Sequence, residues 1–142
     1  MDNTNWKNGI AWSDKLITGN DIIDEQHKTI FKLTSDLVDA LMKDEAKKIL
    51  GDMLEFMANY TIEHFGYEEK LMIEYIYPNY ENHKKLHDDF RIVVFELKND
   101  YEIRGASDEL VKVLSGTVVR WLVKHISHED VKIAKHIYKN NN

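Results

Sequence analysis

Histidine and glutamate side chains recur at helical spacing in the middle of this 142-residue chain. Glu68 follows His64 by four residues. His87 follows His83 by the same interval. On an α-helix, side chains four residues apart stack on one face, about 6 Å apart, which suits two groups that share a metal ion or bracket a pair of ions. One such pair is weak evidence, because the spacing also occurs by chance. Two pairs in succession, on segments separated by the only proline, Pro78, indicate a metal site.

Apolar residues at intervals of three and four predict the helices that must position these groups. Four amphipathic stretches of similar length follow one another, and only short polar breaks separate them. We therefore predict an all-α fold: an antiparallel up-down-up-down four-helix bundle with an extended N-terminal arm and a short C-terminal helix. A single domain should span residues 1–142, with the arm at about 1–20, the bundle at about 21–127 and the tail at about 128–142.

Polar residues, glycine and proline mark the expected helix ends. Asn20 or Asp21 can cap the first helix, and Ser107 the fourth, because their side chains accept hydrogen bonds from the free amides of a first turn. The second helix should end before Pro78, since the residue before a proline is driven out of the α conformation. The third should close near Gly105, a suitable C-terminal cap.

Five of the seven histidines lie on the apolar stripes that should face the bundle core, with Glu68 beside them. Asp130 follows His125 by five residues, just past the predicted helix end, where the chain can turn inward. A buried polar group without a partner costs about 1–3 kcal/mol, and an isolated carboxylate much more. A lone core histidine is usually hydrogen-bonded to a carbonyl, but five of them with a carboxylate indicate a shared metal centre. The five are His27, His64, His83, His87 and His125.

The number and type of these side chains constrain the metal. Five neutral imidazoles with two carboxylates are too many for one tetrahedral zinc site and suit two ions bridged by both carboxylates. The chain has no cysteine, so the ligands are nitrogen and oxygen atoms, which favours iron or manganese. No histidine follows a glutamate by three residues, which argues against a ferritin-like di-iron bundle. The HExxH motif of metalloproteases is also absent.

Charge and hydropathy exclude other classes of protein. A formal net charge of -6, with no basic run, argues against a nucleic-acid surface. The first ten residues are polar and acidic, unlike a signal peptide. No apolar run approaches the roughly 18 residues of a membrane span. We therefore expect a cytoplasmic protein that has no membrane span and does not bind nucleic acid.

Four segments of the chain resemble the hemerythrin family, and specifically its single-domain bacterial form. They cover all four predicted helices and contain every expected ligand position in order. The segments are Ile23-Asp24-x-Gln26-His27, His64-Phe65-x-x-Glu68-Glu69, His83-x-x-x-His87 and Trp121-Leu122-Val123-x-His125-Ile126-x-x-x-Asp130.

The resemblance implies two iron ions joined by an oxo or hydroxo bridge. One iron is then six-coordinate and the other five-coordinate, which leaves one position open to dioxygen as a reversible ligand. The implied ligands are His83, His87 and His125 on the first iron, His27 and His64 on the second, and Glu68 and Asp130 between them.

The family pattern also implies an apolar pocket around the open position. Its walls keep water and protons from displacing the bound ligand. Trp121 and Leu122 lie one turn before His125 and can share its face. Every pocket position is also an ordinary core position by its spacing. The implied lining is Phe65, Trp121, Leu122 and Ile126.

Three functions remain open at this point. The leading hypothesis is reversible dioxygen binding for carriage, storage or delivery, with an oxygen-consuming recipient protein as a partner. The second is a redox enzyme acting on dioxygen, peroxide or nitric oxide, which would favour a proton donor near the open position. The third is an oxygen- or iron-sensing module, which the lack of a second signalling domain disfavours. The apolar pocket positions favour the first, which is not an enzymatic function.

Overall fold

Four helices make up most of the described structure, a computed structural model that covers Trp12 and residues 14–141. The first three helices pack consecutively, and the fourth contacts the first two and stacks Trp121 on Phe90 of the third, which confirms the predicted all-α four-helix bundle. α2 ends ahead of Pro78, as predicted. The first three helices are α1 (Asp21–Met42), α2 (Ala46–Glu74) and α3 (Tyr80–Arg104).

The helix ends follow from local hydrogen bonding. The Asn20 side chain accepts a hydrogen bond from the amide of Ile23 at 3.0 Å. The Ser107 hydroxyl likewise accepts one from the amide of Leu110 at 3.1 Å. Gly105 follows α3 with φ 78°, a conformation that glycine adopts without steric cost. The predicted caps at Asn20, Gly105 and Ser107 are thereby confirmed.

The fourth helix, α4, runs without a break through residues 108–141. The sequence predicted an end near residue 127 and a separate C-terminal helix. The short C-terminal helix is present as Val131–Asn141, but a π-helical stretch joins it to the helix before it. In order, the segments of α4 are α-helical Asp108–Val113, π-helical Leu114–Val118, α-helical Val119–Lys124, π-helical His125–Asp130 and α-helical Val131–Asn141.

The spacing of buried residues explains why α4 contains π-helical turns. Leu114, Val118, Leu122, Ile126 and Asp130 are all buried and recur at every fourth position. An α-helix has 3.6 residues per turn, so a stripe of this period drifts by about 40° at each step. A π turn, closed by an i→i+5 hydrogen bond, holds more residues and offsets the drift. The two π-helical stretches therefore keep the whole stripe on the core face.

The apolar core lies on both sides of the histidine-bearing layer. The larger cluster includes Leu37, Leu50 and Leu114, and the smaller cluster, past Glu68 along α2, contains Met72 and Ile133 with Tyr77. The layer between them carries the polar side chains of the candidate site. Because apolar packing closes it from both ends, these polar groups are cut off from solvent.

Only part of the predicted N-terminal arm belongs to the described residues. Trp12 packs edge-on against Phe31, with ring centroids 5.9 Å apart. Asp14–Leu16 forms one turn of 3₁₀ helix before α1. The rest of the predicted arm, residues 1–11 and residue 13, lies outside the described part of the chain. No helix within that part is both long and apolar enough to cross a membrane.

Candidate metal centre

Seven histidine and carboxylate side chains converge in the middle of the bundle. Every helix contributes at least one of them, and each residue is no more than 4% exposed. The structure thus brings together all the residues that the sequence singled out as metal ligands. They are His27 from α1, His64 and Glu68 from α2, His83 and His87 from α3, and His125 and Asp130 from α4.

The seven side chains form two overlapping groups that share both carboxylates. In each group, the candidate ligand atoms all lie within 4.8 Å of one another. We call them the three-histidine group and the two-histidine group. The three-histidine group is His83, His87 and His125 with Glu68 and Asp130. The two-histidine group is His27 and His64 with the same two carboxylates.

The carboxylates lie between imidazoles of both groups. One oxygen of Asp130, Oδ2, is 2.9 Å from His27 Nε2, whereas its Oδ1 is 3.0 Å from His125 Nε2. Glu68 Oε1 is 3.3 Å from the Nε2 atoms of His64 and His87. This is the arrangement that two ions sharing two carboxylates would require.

The imidazoles also direct their Nε2 atoms at one another. His27 and His64 Nε2 are 3.1 Å apart, and His125 Nε2 is 3.1 Å from that of His83 and 3.2 Å from that of His87. Two neutral imidazoles can share only one proton at such a distance, and a common cation satisfies both lone pairs.

The second π-helical stretch, His125–Asp130, brings its two terminal side chains to the same site. On an α-helix, residues five apart point in directions about 140° apart. In the π turn they approach the same face, and the carboxylate reaches the imidazole five residues earlier. The sequence placed Asp130 beyond a helix end, with the chain turning inward. The structure keeps the chain helical and changes the helix type instead.

Several buried oxygen atoms of the centre have no hydrogen-bond partner among the described residues. They are both oxygens of Glu68 and Oδ1 of Asp130. A buried carboxylate that lacks hydrogen bonds is unfavourable unless a cation compensates it. The orphaned oxygens, the nitrogen and oxygen donors and the absence of thiolates fit a pair of transition-metal ions such as iron.

Burial and mutual charge perturb the ionisation of these groups. Burial raises the pKa of Glu68 well above its ordinary value, and the charge of Asp130 adds to this effect. Burial alone would also raise the pKa of Asp130, but the charge of His125 and the close contacts of the surrounding imidazoles outweigh it and hold that pKa well below its usual range. Burial, together with the neighbouring His83 and His125, lowers the pKa of His87. A metal ion bound at the centre would therefore compete with a proton for Glu68.

Two imidazoles are oriented by hydrogen bonds to side chains outside the centre. His64 Nδ1 lies 2.6 Å from Gln26 Oε1, and His87 Nδ1 lies 2.8 Å from Glu69 Oε2. When Nδ1 carries the proton and donates it in these hydrogen bonds, Nε2 keeps a free lone pair for a metal. Arg91 in turn forms an ion pair with Glu69 at 2.9 Å.

By helical spacing alone, Glu69 should point away from the core face that carries Glu68, but in the structure its side chain meets His87. Glu69 follows Glu68 directly and so lies at the edge of the core face. From there its side chain is long enough to reach His87 on α3. Many polar residues adjoin a ligand in the sequence. Only the packing of α2 on α3 selects the one that meets His87.

Aromatic rings cover the imidazoles on the apolar side. Phe65 stacks on His87 with centroids 3.9 Å apart and planes 2° from parallel. Trp121 stacks on His125 at 4.5 Å and 9°. Leu122 and Ile126 are buried on the same helix as Trp121. The structure gives these residues positions near the ligands, and their role in a dioxygen pocket remains a prediction.

Sequence reasoning missed Tyr60, which lies one turn before His64 on α2. Its ring stacks on His64 with centroids 4.6 Å apart and planes 21° from parallel. Burial raises the pKa of the Tyr60 phenol, and the charges of Asp130 and Glu68 raise it further. The signal available in the sequence was the spacing Tyr60–His64, which places both residues on one helix face.

The two remaining histidines lie outside the centre. His128 is exposed and its Nδ1 is 3.2 Å from the carbonyl oxygen of Lys124 in its own helix. His136 Nε2 is 2.7 Å from the carbonyl oxygen of Tyr75. Neither belongs to the two groups of candidate ligands.

The fold and the site define a metal-binding four-helix bundle with a buried centre of histidine and carboxylate ligands. A family sequence model, the Hemerythrin HHE cation binding domain, matches residues 18–137. The chain belongs to the hemerythrin family.

Characterised relatives agree with this assignment. The chain is 35% identical to a bacteriohemerythrin of Pseudomonas aeruginosa over 122 residues. The matched region covers 85% of this chain and 76% of the relative. It is 30% identical over 119 residues to a bacteriohemerythrin of Aquifex aeolicus, covering 84% and 90% of the two chains. It is also 30% identical over 121 residues to a myohemerythrin of Theromyzon tessulatum, covering 85% and 88%.

Proposed function

We propose that this protein binds dioxygen reversibly at a pair of iron ions, for carriage, storage or delivery of oxygen. The observation that carries the proposal is the asymmetry of the buried donor set. Both groups share Glu68 and Asp130, but one offers three imidazoles and the other only two. An ion held by the two-histidine group has one protein ligand fewer, and therefore a position available to a small molecule.

The proposed ligand assignment follows the two groups. Glu68 and Asp130 are the shared ligands, because each has oxygens within reach of imidazoles from both groups. The three-histidine group would hold one iron, and the two-histidine group the other. An oxo or hydroxo group would complete the bridge. Each proposed ligand is a nitrogen or oxygen donor of the kind that iron accepts.

Reversibility depends on what the surrounding side chains do. Two ferrous ions, when bound, supply the two electrons that dioxygen takes up and returns. Phe65, Leu122 and Ile126 are buried, and they bring no polar atom to the centre. Apolar walls exclude the water and protons that would drive off a reduced ligand and leave the iron oxidised. Carriage is favoured by such walls, whereas sustained catalysis requires a supply of protons.

The test is a visible absorption spectrum of the iron-loaded, anaerobically reduced protein, exposed to air and then flushed with argon. We expect two iron ions per chain and a colourless reduced protein. It should become pink in air and lose the colour under argon. Zinc-loaded protein is the matched control, since it fills the same ligands without supplying electrons and should stay colourless.

Two other results would lead to different conclusions. Colour that develops in air and persists under argon would contradict reversible binding and favour a redox enzyme acting on dioxygen, peroxide or nitric oxide, or a sensor. A protein that binds no iron, and develops no colour, would contradict the di-iron centre itself.

A further inference from the structure

Tyr60 carries an unpartnered hydroxyl group on a ring that stacks on an imidazole of the two-histidine group. The residue is 6% exposed, and its Oη has no hydrogen-bond partner among the described residues. Its ring lies over the imidazole of His64. The other aromatic neighbours of this ring, Phe56 and Phe65, offer nothing that accepts a hydrogen bond through a side-chain oxygen or nitrogen.

Packing alone does not account for a tyrosine at this position. A phenylalanine ring would make the same contacts with His64 and its apolar neighbours, and it would avoid the cost of burying an unpaired hydroxyl. Tyr77 offers a comparison at the three-histidine group, where its ring is 6.4 Å from that of His83. Its hydroxyl, unlike that of Tyr60, is not among the buried side-chain atoms that lack a hydrogen-bond partner. Among the described residues, Tyr60 is the one tyrosine whose hydroxyl is both buried and without a partner, and it lies next to the two-histidine group.

We propose that the Tyr60 hydroxyl donates a hydrogen bond to the small molecule that binds at the open side of the two-histidine group. The inference rests on the proposed function, because that function supplies the open position. A neutral phenol has one O–H donor, and in the described structure this donor is not engaged elsewhere.

Such a donor would select among ligands by their charge. Hydrogen bonds to charged acceptors are stronger than those to neutral ones, and more so where water is excluded. Tyr60 should therefore favour ligands that carry or acquire negative charge, such as azide or dioxygen that has taken up electrons. It should contribute little to the binding of a neutral ligand such as carbon monoxide.

The experiment compares azide binding by iron-loaded, air-oxidised wild-type protein with that of Tyr60→Phe. Titration followed by visible absorption gives the dissociation constant. We expect azide to bind about tenfold more weakly to Tyr60→Phe, because one charge-assisted hydrogen bond is lost. Tyr77→Phe is the matched control, since it removes a phenol hydroxyl near the three-histidine group, and its affinity for azide should equal that of the wild type.

A second measurement separates ligand binding from a purely structural role. Thermal unfolding of metal-free Tyr60→Phe should occur at the wild-type temperature or higher, because the variant no longer buries an unpaired hydroxyl. The infrared stretching frequency of bound azide should differ between H2O and D2O in the wild type. This difference should be smaller in Tyr60→Phe, which lacks the hydroxyl proton.

Three results would overturn the inference. Equal azide affinity in wild type and Tyr60→Phe would show that the hydroxyl does not reach the ligand, while the proposed function would stand. An equal loss of affinity in Tyr60→Phe and Tyr77→Phe would show a general effect on the bundle. If wild-type protein held two irons but bound no azide, the two-histidine group would have no open ligand position. Both the inference and the proposed function would then be contradicted.

Discussion

At the scale of single residues, the centre depends on how each imidazole is oriented. His64 and His87 each engage Nδ1 in a short hydrogen bond and turn Nε2 towards the carboxylates. Gln26 and Glu69 provide these bonds from positions next to proposed ligands in the sequence. An imidazole held in this way loses little freedom when a metal binds, because its tautomer and orientation are already set.

Replacement of Glu69 by glutamine tests this second layer of contacts. The neutral amide keeps the shape of the side chain but accepts a weaker hydrogen bond from His87, which becomes a poorer ligand. We expect Glu69→Gln to bind two irons and to release them to a chelator about 10–100 times faster than the wild type. Glu63→Gln makes the same charge change at an exposed position of α2 and should release iron at the wild-type rate. Equal release rates in the two variants would show that Glu69 does not support His87.

Replacement of His83 by alanine tests the ligand set itself. The side chain is fully buried in the three-histidine group, so its loss removes a ligand and leaves a cavity. We expect fewer than two irons per chain and a free energy of unfolding lower by about 2–5 kcal/mol. Iron analysis and urea denaturation measure the two effects. His128→Ala, at an exposed histidine, should change neither. Two irons retained by His83→Ala would contradict the assignment of this residue.

At the scale of elements, α4 has the least regular geometry and the most specialised role. Its first π-helical stretch brings Leu122 and His125 onto the core face, and the second adds Asp130. Of the three α-helices that precede it, α2 and α3 each present two proposed ligands four residues apart on ordinary helical turns, and α1 presents one. One segmented helix therefore carries a proposed metal ligand for each group as well as part of the proposed apolar wall.

Leu122→Ala tests that wall. The variant should retain both irons, because Leu122 is not a proposed ligand. A cavity beside the centre admits water, so we expect the oxygenated protein to lose its colour irreversibly several times faster than the wild type. The decay of the visible band in air measures this rate. Leu50→Ala creates a comparable cavity about 20 Å away along the bundle, and it should lower stability without changing the decay. Equal decay rates in the two variants would contradict a wall function for Leu122.

At the scale of the whole molecule, we expect folding and metal binding to be coupled. The bundle buries seven ionisable side chains in its middle layer, and only a cation relieves the unpaired oxygens among them. Apolar clusters close the layer on both sides. Removal of the metal should therefore lower the stability of the entire bundle and not only that of the centre.

The affinity for metal should depend on pH for the same reason. In the metal-free bundle, burial raises the pKa of Glu68, so this carboxyl group keeps its proton at pH values where it is ordinarily ionised. The pKa of His125 is also raised, since Asp130 outweighs the opposing effect of burial. A metal ion must displace these protons, and its affinity should therefore rise with pH.

Calorimetric titration of the metal-free protein with zinc, in buffers of different ionisation enthalpy, measures the protons released. Zinc avoids oxidation during the measurement. We expect a net release that becomes smaller as pH rises, together with tighter binding. Proton uptake on binding, or an affinity independent of pH, would contradict the proposed ionisation of the metal-free centre.

The sequence by itself determined the fold class and the members of the centre. Hydrophobic periodicity, with caps at Asn20, Gly105 and Ser107, was enough for the bundle, because amphipathic helices joined by short loops have few ways to bury their apolar faces. The buried histidines were equally visible, since a polar residue on an apolar stripe stands out within one helix.

Only the tertiary structure decided which groups meet across helices. The π turn at Asp130, the support of His87 by Glu69 and the unpaired hydroxyl of Tyr60 each depend on how one helix is set against another. Local sequence specifies the face on which a side chain lies. The contacts it makes depend on the register and rotation of the neighbouring helix, which the packing of the whole core determines.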